Sequence, residues 1–181
     1  MNAYKRLGLE PRLTITPDEL ADAFRNAGKS AHPDAGGNEG EFSRLRDAHA
    51  ILSSPSRRLG HWLGLRGLTV ESRGAMDPRV MDMFSTVGAV SQRAGDLIRR
   101  REDTKTALGR ALLEQETQLC REAVEQAIAM VEPAIHEQCA AFASYEAASA
   151  PDAATASTTV RNLAFLEKWQ LTLRSLYARL V

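Results

Sequence analysis

The sequence predicts an all-α protein in two parts, an N-terminal helical unit over residues 1–70 and a C-terminal helical bundle over 76–181. Three observations carry that reading. Apolar residues recur at steps of three and four along most of the chain. Strand-like alternation is found nowhere. Helix starts are marked by a capping residue followed by proline, at Thr16-Pro17, Ser54-Pro55 and Asp77-Pro78.

In the first part, Tyr4 and Leu7 give a short helix one apolar edge before Gly8 and Pro11 interrupt it. Thr16 as cap, Pro17 at the first helical position and Glu19 three residues after the cap predict a capping box and a helix from about Pro17. Its stripe is Leu20, Ala23, Phe24, Ala27 and Ala31, with Asp18, Asp22, Arg25 and Lys29 on the remaining surface. A third helix, from about Glu39 to Ser53, repeats Phe42, Leu45, Ala48, His49 and Leu52. Two such stripes joined by a short loop predict an antiparallel pair with Phe24 buried between them. Ser54-Pro55 caps a fourth helix carrying Leu59, Trp62, Leu63 and Leu65. The polar, glycine-containing stretch that follows is a domain boundary.

Asp77-Pro78 opens the second part. Val80, Met83, Phe84, Val87, Val90, Ala94, Leu97 and Ile98 form a near-heptad stripe ending in Arg99-Arg100-Arg101, a basic helix end that suits the macrodipole. Asp103-Thr104 restarts a long helix with Leu108, Leu112, Leu119, Ala123, Ala127, Val131, Ile135, Cys139 and Phe142 on one face, and Pro133 should kink it. Ala147 to Thr159 reads as a connection that can fray. A last helix carries Val160, Leu163, Leu166, Trp169, Leu173, Leu176 and Leu180. Trp62 and Trp169 are both expected in cores.

The 181 residues are 44% hydrophobic and 25% charged, with 23 basic and 23 acidic side chains. That balance gives no global field toward nucleic acid or an anionic membrane. No apolar run reaches the roughly 18 residues of a membrane span, and the N-terminus lacks the apolar core of a secretory signal, so the expected location is the cytoplasm. Cys120 and Cys139 lie too far apart along one helix for a disulfide and lack metal-ligand spacing, so both read as packing residues and no metal or cofactor is expected. Gly36-Gly37 has no Lys-Ser/Thr pair behind it and is not a phosphate loop.

The chain is organised around His32-Pro33-Asp34, between the second and third helices. Proline removes a backbone donor and biases residue 32 away from the helical region, so the helix must end there and display an imidazole and a carboxylate on a stiff corner. A catalytic His-Asp relay would need a nucleophile, pocket or metal set beside it, and none is indicated; the chain does not read as an enzyme. With Tyr4, Leu7-Gly8-Leu9 and the two stripes around it, the segment over about residues 2 to 66 resembles a J domain, the module by which DnaJ-type co-chaperones engage DnaK-type ATPases. In the second part, Val160-Arg161-Asn162-Leu163-Ala164-Phe165-Leu166-Glu167-Lys168 is similar to the final helix of HscB, the J-type co-chaperone of iron-sulfur cluster assembly, and Arg58 to Leu63 with Gly67-Leu68 is similar to that family's segment after the J domain.

The resemblance implies a J domain followed by a three-helix bundle. It implies that His32, Pro33, Asp34, Arg25 and Lys29 meet a DnaK/HscA-type chaperone and stimulate its ATPase. It also implies that Val80, Met81, Phe84 and Val87 meet a client, an iron-sulfur scaffold protein. The chain departs from the family in two places. Ala31 stands where an aromatic residue is usual, and Asn26 and Ser30 stand where bases are common, leaving Arg25 and Lys29; the charged cluster usual on the first bundle helix is absent. A second function class therefore stays open: a helical interaction or assembly protein that keeps a J fold without chaperone coupling, or a J protein for another client.

Overall fold

A computed structural model describes residues 2–31, 39–71 and 73–181, and all regular structure among them is helical. The helices are α1 (Ala3–Leu7), α2 (Pro17–Ala31), α3 (Glu39–Ser53), α4 (Pro55–Leu65), α5 (Pro78–Asp103), α6 (Ala107–Ala140), α7 (Phe142–Ala147) and α8 (Ala153–Leu180). His32-Pro33-Asp34 lies outside the described residues.

Local chemistry sets most of the helix starts. The Asn2 side chain accepts from the Lys5 amide at 3.1 Å, and Gly8, at φ 67°, ends α1 in the left-handed region that favours glycine. Thr16 Oγ1 accepts from the Glu19 amide at 3.2 Å. The reciprocal half of the capping box gives way, because the Glu19 carboxylate is engaged by the Arg12 guanidinium. Ser54 and Asp77 cap α4 and α5 through the amides of Arg57 and Arg79, at 3.3 and 2.8 Å.

Three sequence expectations shift. Helix α5 continues past its arginines to Asp103, and α6 starts at Ala107, where Thr106 Oγ1 accepts from the Gly109 amide at 3.1 Å. Residues 153–159 belong to α8, because the Asp152 carboxylate accepts from the Thr155 amide at 2.9 Å and the small side chains of Ala156 and Ser157 fit a buried site. The buried face of α6 is Thr117, Cys120, Val124, Ala127, Val131, Ala134 and Ile135. Leu108, Leu112 and Leu119 lie off that face and stay 72%, 73% and 51% exposed.

The chain forms two compact units. The first joins residues 1–75 to 138–164, and the second joins 76–137 to 165–181.

In the first unit α3 packs against α1, α2 and α4. Tyr4, Leu13, Leu52, Leu59, Trp62 and Leu63 form its centre, together with Phe142, Tyr145 and Leu163 from the later segment. Several polar contacts tie that segment down. The Glu146 carboxylate accepts from the backbone of Leu13, from the Thr14 amide at 3.2 Å and from the Thr14 hydroxyl at 2.9 Å. Arg161 donates to the carbonyls of Glu71, at 2.7 Å, and Ala75, at 3.1 Å. Gly74 lies so close that a Cβ there would meet the Arg161 guanidinium at 2.8 Å. Arg58 lies 5.8 Å from the centre of the Phe142 ring.

Burial alone would raise the Glu146 carboxyl, but the hydrogen bonds from Leu13 and Thr14 outweigh it and hold it below the ordinary 4.5. Because the folded value is the lower one, this carboxylate stabilises the unit fully above pH 4.5 and progressively less as pH falls toward the folded value. Glu146→Ala is expected to cost about 2 kcal/mol at neutral pH, since the buried Leu13 amide loses its acceptor. The gap between mutant and parent melting temperatures should narrow below about pH 4; a gap unchanged from pH 7 to pH 3 would refute the contact.

The second unit packs α5, the first thirty-odd residues of α6 and the C-terminal part of α8. Val80, Val87, Ala94, Leu97 and Ile98 of α5, Cys120, Val124, Ala127 and Val131 of α6, and Leu166, Leu173 and Leu180 of α8 are all buried in this unit. Such a three-helix arrangement follows from complementary apolar stripes on long helices.

Candidate functional site

The first surface is α2. Arg25 is exposed and paired with Asp22 at 3.0 Å, one turn earlier. Lys29 Nζ donates to the Asn26 side chain at 3.2 Å, and its charge faces no carboxylate among the described residues. Along the helix Asp18, Glu19 and Asp22 occupy the first half, near the positive N-terminus, and the bases occupy the half that leads to His32. Exposed Lys5 and Arg6 of α1 share a groove with Ala23, Asn26 and Ala27 of α2. These two bases were not singled out from the sequence, because only the packing of α1 on α2 brings them to this surface.

Phe24 lies between α2 and α3 but is only half-buried, its ring 4.6 Å from that of His49 and 6.4 Å from that of Phe42. Full burial was expected, so the cost of Phe24→Ala falls to about 2 kcal/mol from the 3 to 5 of a fully enclosed ring. Thermal melting checks this: a loss well above 4 kcal/mol would mean that the ring is enclosed.

Behind this surface His61 is held neutral by its setting. Its Nε2 accepts from the Ala3 amide at 3.0 Å, its ring stacks on Tyr4 at 5.7 Å, and burial together with the nearby N-terminal charge lowers its pKa. Burial pushes the Tyr4 hydroxyl up to about 12. Tyr4 is fully enclosed, and no cluster of metal-ligating side chains is found among the described residues.

The second surface is on the other unit. Of the four client residues expected on α5, Val80 and Val87 are each 2% exposed and belong to the core, so they are unavailable to a partner. Met81 and Phe84 are 54% and 58% exposed. Phe84 was expected in the buried seam with Val80 and Val87, but it stands on the outer edge of the seam. There its ring meets Trp169 at 6.2 Å, and Trp169 meets Phe165 at the same distance. Trp169 is therefore half-buried, and the surface is a patch of methionine and three aromatic rings from α5 and α8. Phe165 and Trp169 stand four residues apart, a spacing that put them on one helical face in the sequence without showing that this face meets α5.

No protein-family model matches the chain. A co-chaperone HscB homologue from Shewanella oneidensis is 32% identical over 77 residues, which cover 38% of this chain and 44% of that protein. Chaperone protein DnaJ 2 from Nocardia farcinica is 39% identical over 59 residues, covering 30% of this chain and 15% of that protein. The chain thus spans less than half the length of these curated relatives. Among solved structures, chaperone HscB from Vibrio cholerae superposes with a TM-score of 0.60 over the full length of both chains, at 19% identity. At that identity the likeness is one of fold. The chain is similar to HscB and DnaJ co-chaperones over part of its length and shares the all-α fold of HscB, a J region and a helical bundle.

Proposed function

We propose that the chain is a co-chaperone that stimulates the ATPase of a DnaK/HscA-type chaperone through His32-Pro33-Asp34, Arg25 and Lys29, and delivers a client held on its bundle. The observation that carries this reading is the intact His-Pro-Asp sequence placed between α2 and α3, within a chain that has the HscB fold. Lys5 and Arg6 add positive charge beside α2, which offsets the short supply of bases on that helix. In this role the chain itself performs no chemistry, needs no cofactor and works in the cytoplasm. No helix among the described residues is long and apolar enough to cross a membrane. The functional division is a J domain over 1–70 and a client-holding part over 76–181, with residues 138–164 of the latter packed against the former. The test is ATP turnover by the cognate chaperone with and without this protein. Absence of stimulation at any concentration would favour the helical assembly protein, a reading that the acid-rich first half of α2 supports.

The client reading rests on Met81, Phe84, Phe165 and Trp169, an exposed group of polarizable and aromatic side chains of the kind that anchors adaptable interfaces. An iron-sulfur scaffold is the client proposed by similarity to HscB. Met81→Glu and Phe84→Glu should each weaken scaffold binding about 30-fold by calorimetric titration and leave chaperone stimulation intact. Parent-like affinity in both variants would remove this surface from the reading.

A further inference from the structure

In the second unit the C-terminal end of α5, the turn that follows it, the first turns of α6 and the C-terminal end of α8 line a cleft of about 460 Å³. That size suits a small molecule. Ile98, which is buried, is its apolar part, and the rest is mostly charged. Arg101 of α5, Lys105 of the turn, Arg110 of α6 and Arg179 of α8 supply four cations against the two carboxylates of Glu102 and Glu114. Arg179 neutralises Glu102 at 2.9 Å. Among the described residues the other three bases form no ion pair. Arg101 donates to the Leu180 carbonyl at 3.1 Å and Arg110 to the Lys105 carbonyl at 3.4 Å, both uncharged acceptors. Glu114 alone offsets these three bases, so the cleft keeps an excess of two positive charges. Thr104 adds no donor, because its hydroxyl is committed to the Arg100 carbonyl at 2.6 Å.

The side-chain N–H groups on offer are therefore all cationic, and they come from α5, the turn and α6 rather than from one side. A planar carboxylate presents its acceptors along one edge. A tetrahedral phosphate presents them all round and carries close to two negative charges, which matches both the arrangement of the donors and the excess charge. The fixed fork of arginine suits phosphate oxygens, and the Leu180 carbonyl holds Arg101 in place in advance, so less side-chain freedom is lost on binding. We propose that this cleft binds a small phosphorylated molecule, with Arg101, Lys105 and Arg110 holding the phosphate. The cleft shares no residue with the client patch or with the α2 surface, so this proposal stands or falls apart from the proposed function.

The test is calorimetric titration of the full chain with pyrophosphate at about 20 mM salt, where screening is weak. The expected result is one-to-one binding with a Kd of about 100 µM, about 10-fold weaker for inorganic phosphate and weaker still for succinate. Arg110→Gln should weaken pyrophosphate binding at least about 10-fold. Its melting should match the parent, since the side chain is exposed. Glu114→Gln should tighten binding about 3-fold, because it removes the one opposing charge. Arg57→Gln, on α4, removes an exposed positive charge outside the cleft and should leave the affinity unchanged. No heat of binding at any temperature up to about 10 mM pyrophosphate, parent-like affinity in Arg110→Gln, or an equal loss in Arg57→Gln would each overturn the proposal. So would weaker binding in Glu114→Gln, or tighter binding of succinate than of phosphate, which would give the cleft to dicarboxylates.

Discussion

Replacing His32 by glutamine, or Asp34 by asparagine, is expected to abolish stimulation of the partner chaperone's ATPase and bring its turnover back to the unstimulated rate. The reason is chemical. Pro33 restricts the backbone around the corner, so recognition depends on which groups the two flanking side chains present, and each substitution keeps roughly the size while removing the imidazole ring or the carboxylate charge. Neither residue belongs to an apolar stripe, so stability should move by less than about 0.5 kcal/mol. Unchanged circular dichroism and melting would confirm that the loss is one of recognition. Full stimulation by both variants would refute the co-chaperone reading and leave the helical assembly protein in its place. Arg25→Ala and Lys29→Ala should act more mildly, because exposed charges steer association more than they hold the complex.

Trp62→Ala is expected to cost about 3 to 5 kcal/mol and to unfold the first unit at ordinary temperatures. The indole is fully enclosed, its N–H donates to the Pro11 carbonyl at 3.3 Å, and the Arg66 guanidinium stacks 3.4 Å from its ring centre. Truncation thus removes a large apolar group, leaves the Pro11 carbonyl short of a donor and releases a cation from its ring. Trp62→Phe should recover most of the loss, because the cavity is then small and only the hydrogen bond is missing. Melting followed by near-ultraviolet dichroism reads both effects. A parent-like melt for the alanine variant would show that α4 does not depend on this core.

The starts of α2, α4 and α5 and the order of the J region were legible because they rest on local chemistry. Capping side chains and prolines act within a turn of the helix they begin, and no distant contact is needed to read them. The His32-Pro33-Asp34 corner is read from the same kind of local chemistry and lies outside the described residues. The exposed patch on α5 and α8 was only half legible. Met81 stood out as a residue off the seam, but Val80, Phe84 and Val87 could not be ranked, since all four fall within about two turns and a stripe has edges that periodicity alone does not define. Folding of the second unit buried both valines and left Phe84 against Trp169.

By itself the sequence determined that the chain is helical and where most of its helices begin. Tertiary structure decided which of two apolar stripes on α6 is buried and which is left to solvent, a choice set by the partners α5 and α8 offer. It also decided that residues 138–164 pack on the N-terminal unit. That association depends on Glu146 reaching the backbone of Leu13 and Thr14, and on Arg161 reaching the carbonyls of Glu71 and Ala75. Partners separated by so much chain leave no periodic signal, and backbone groups look alike in every residue, so only folding could bring these groups together.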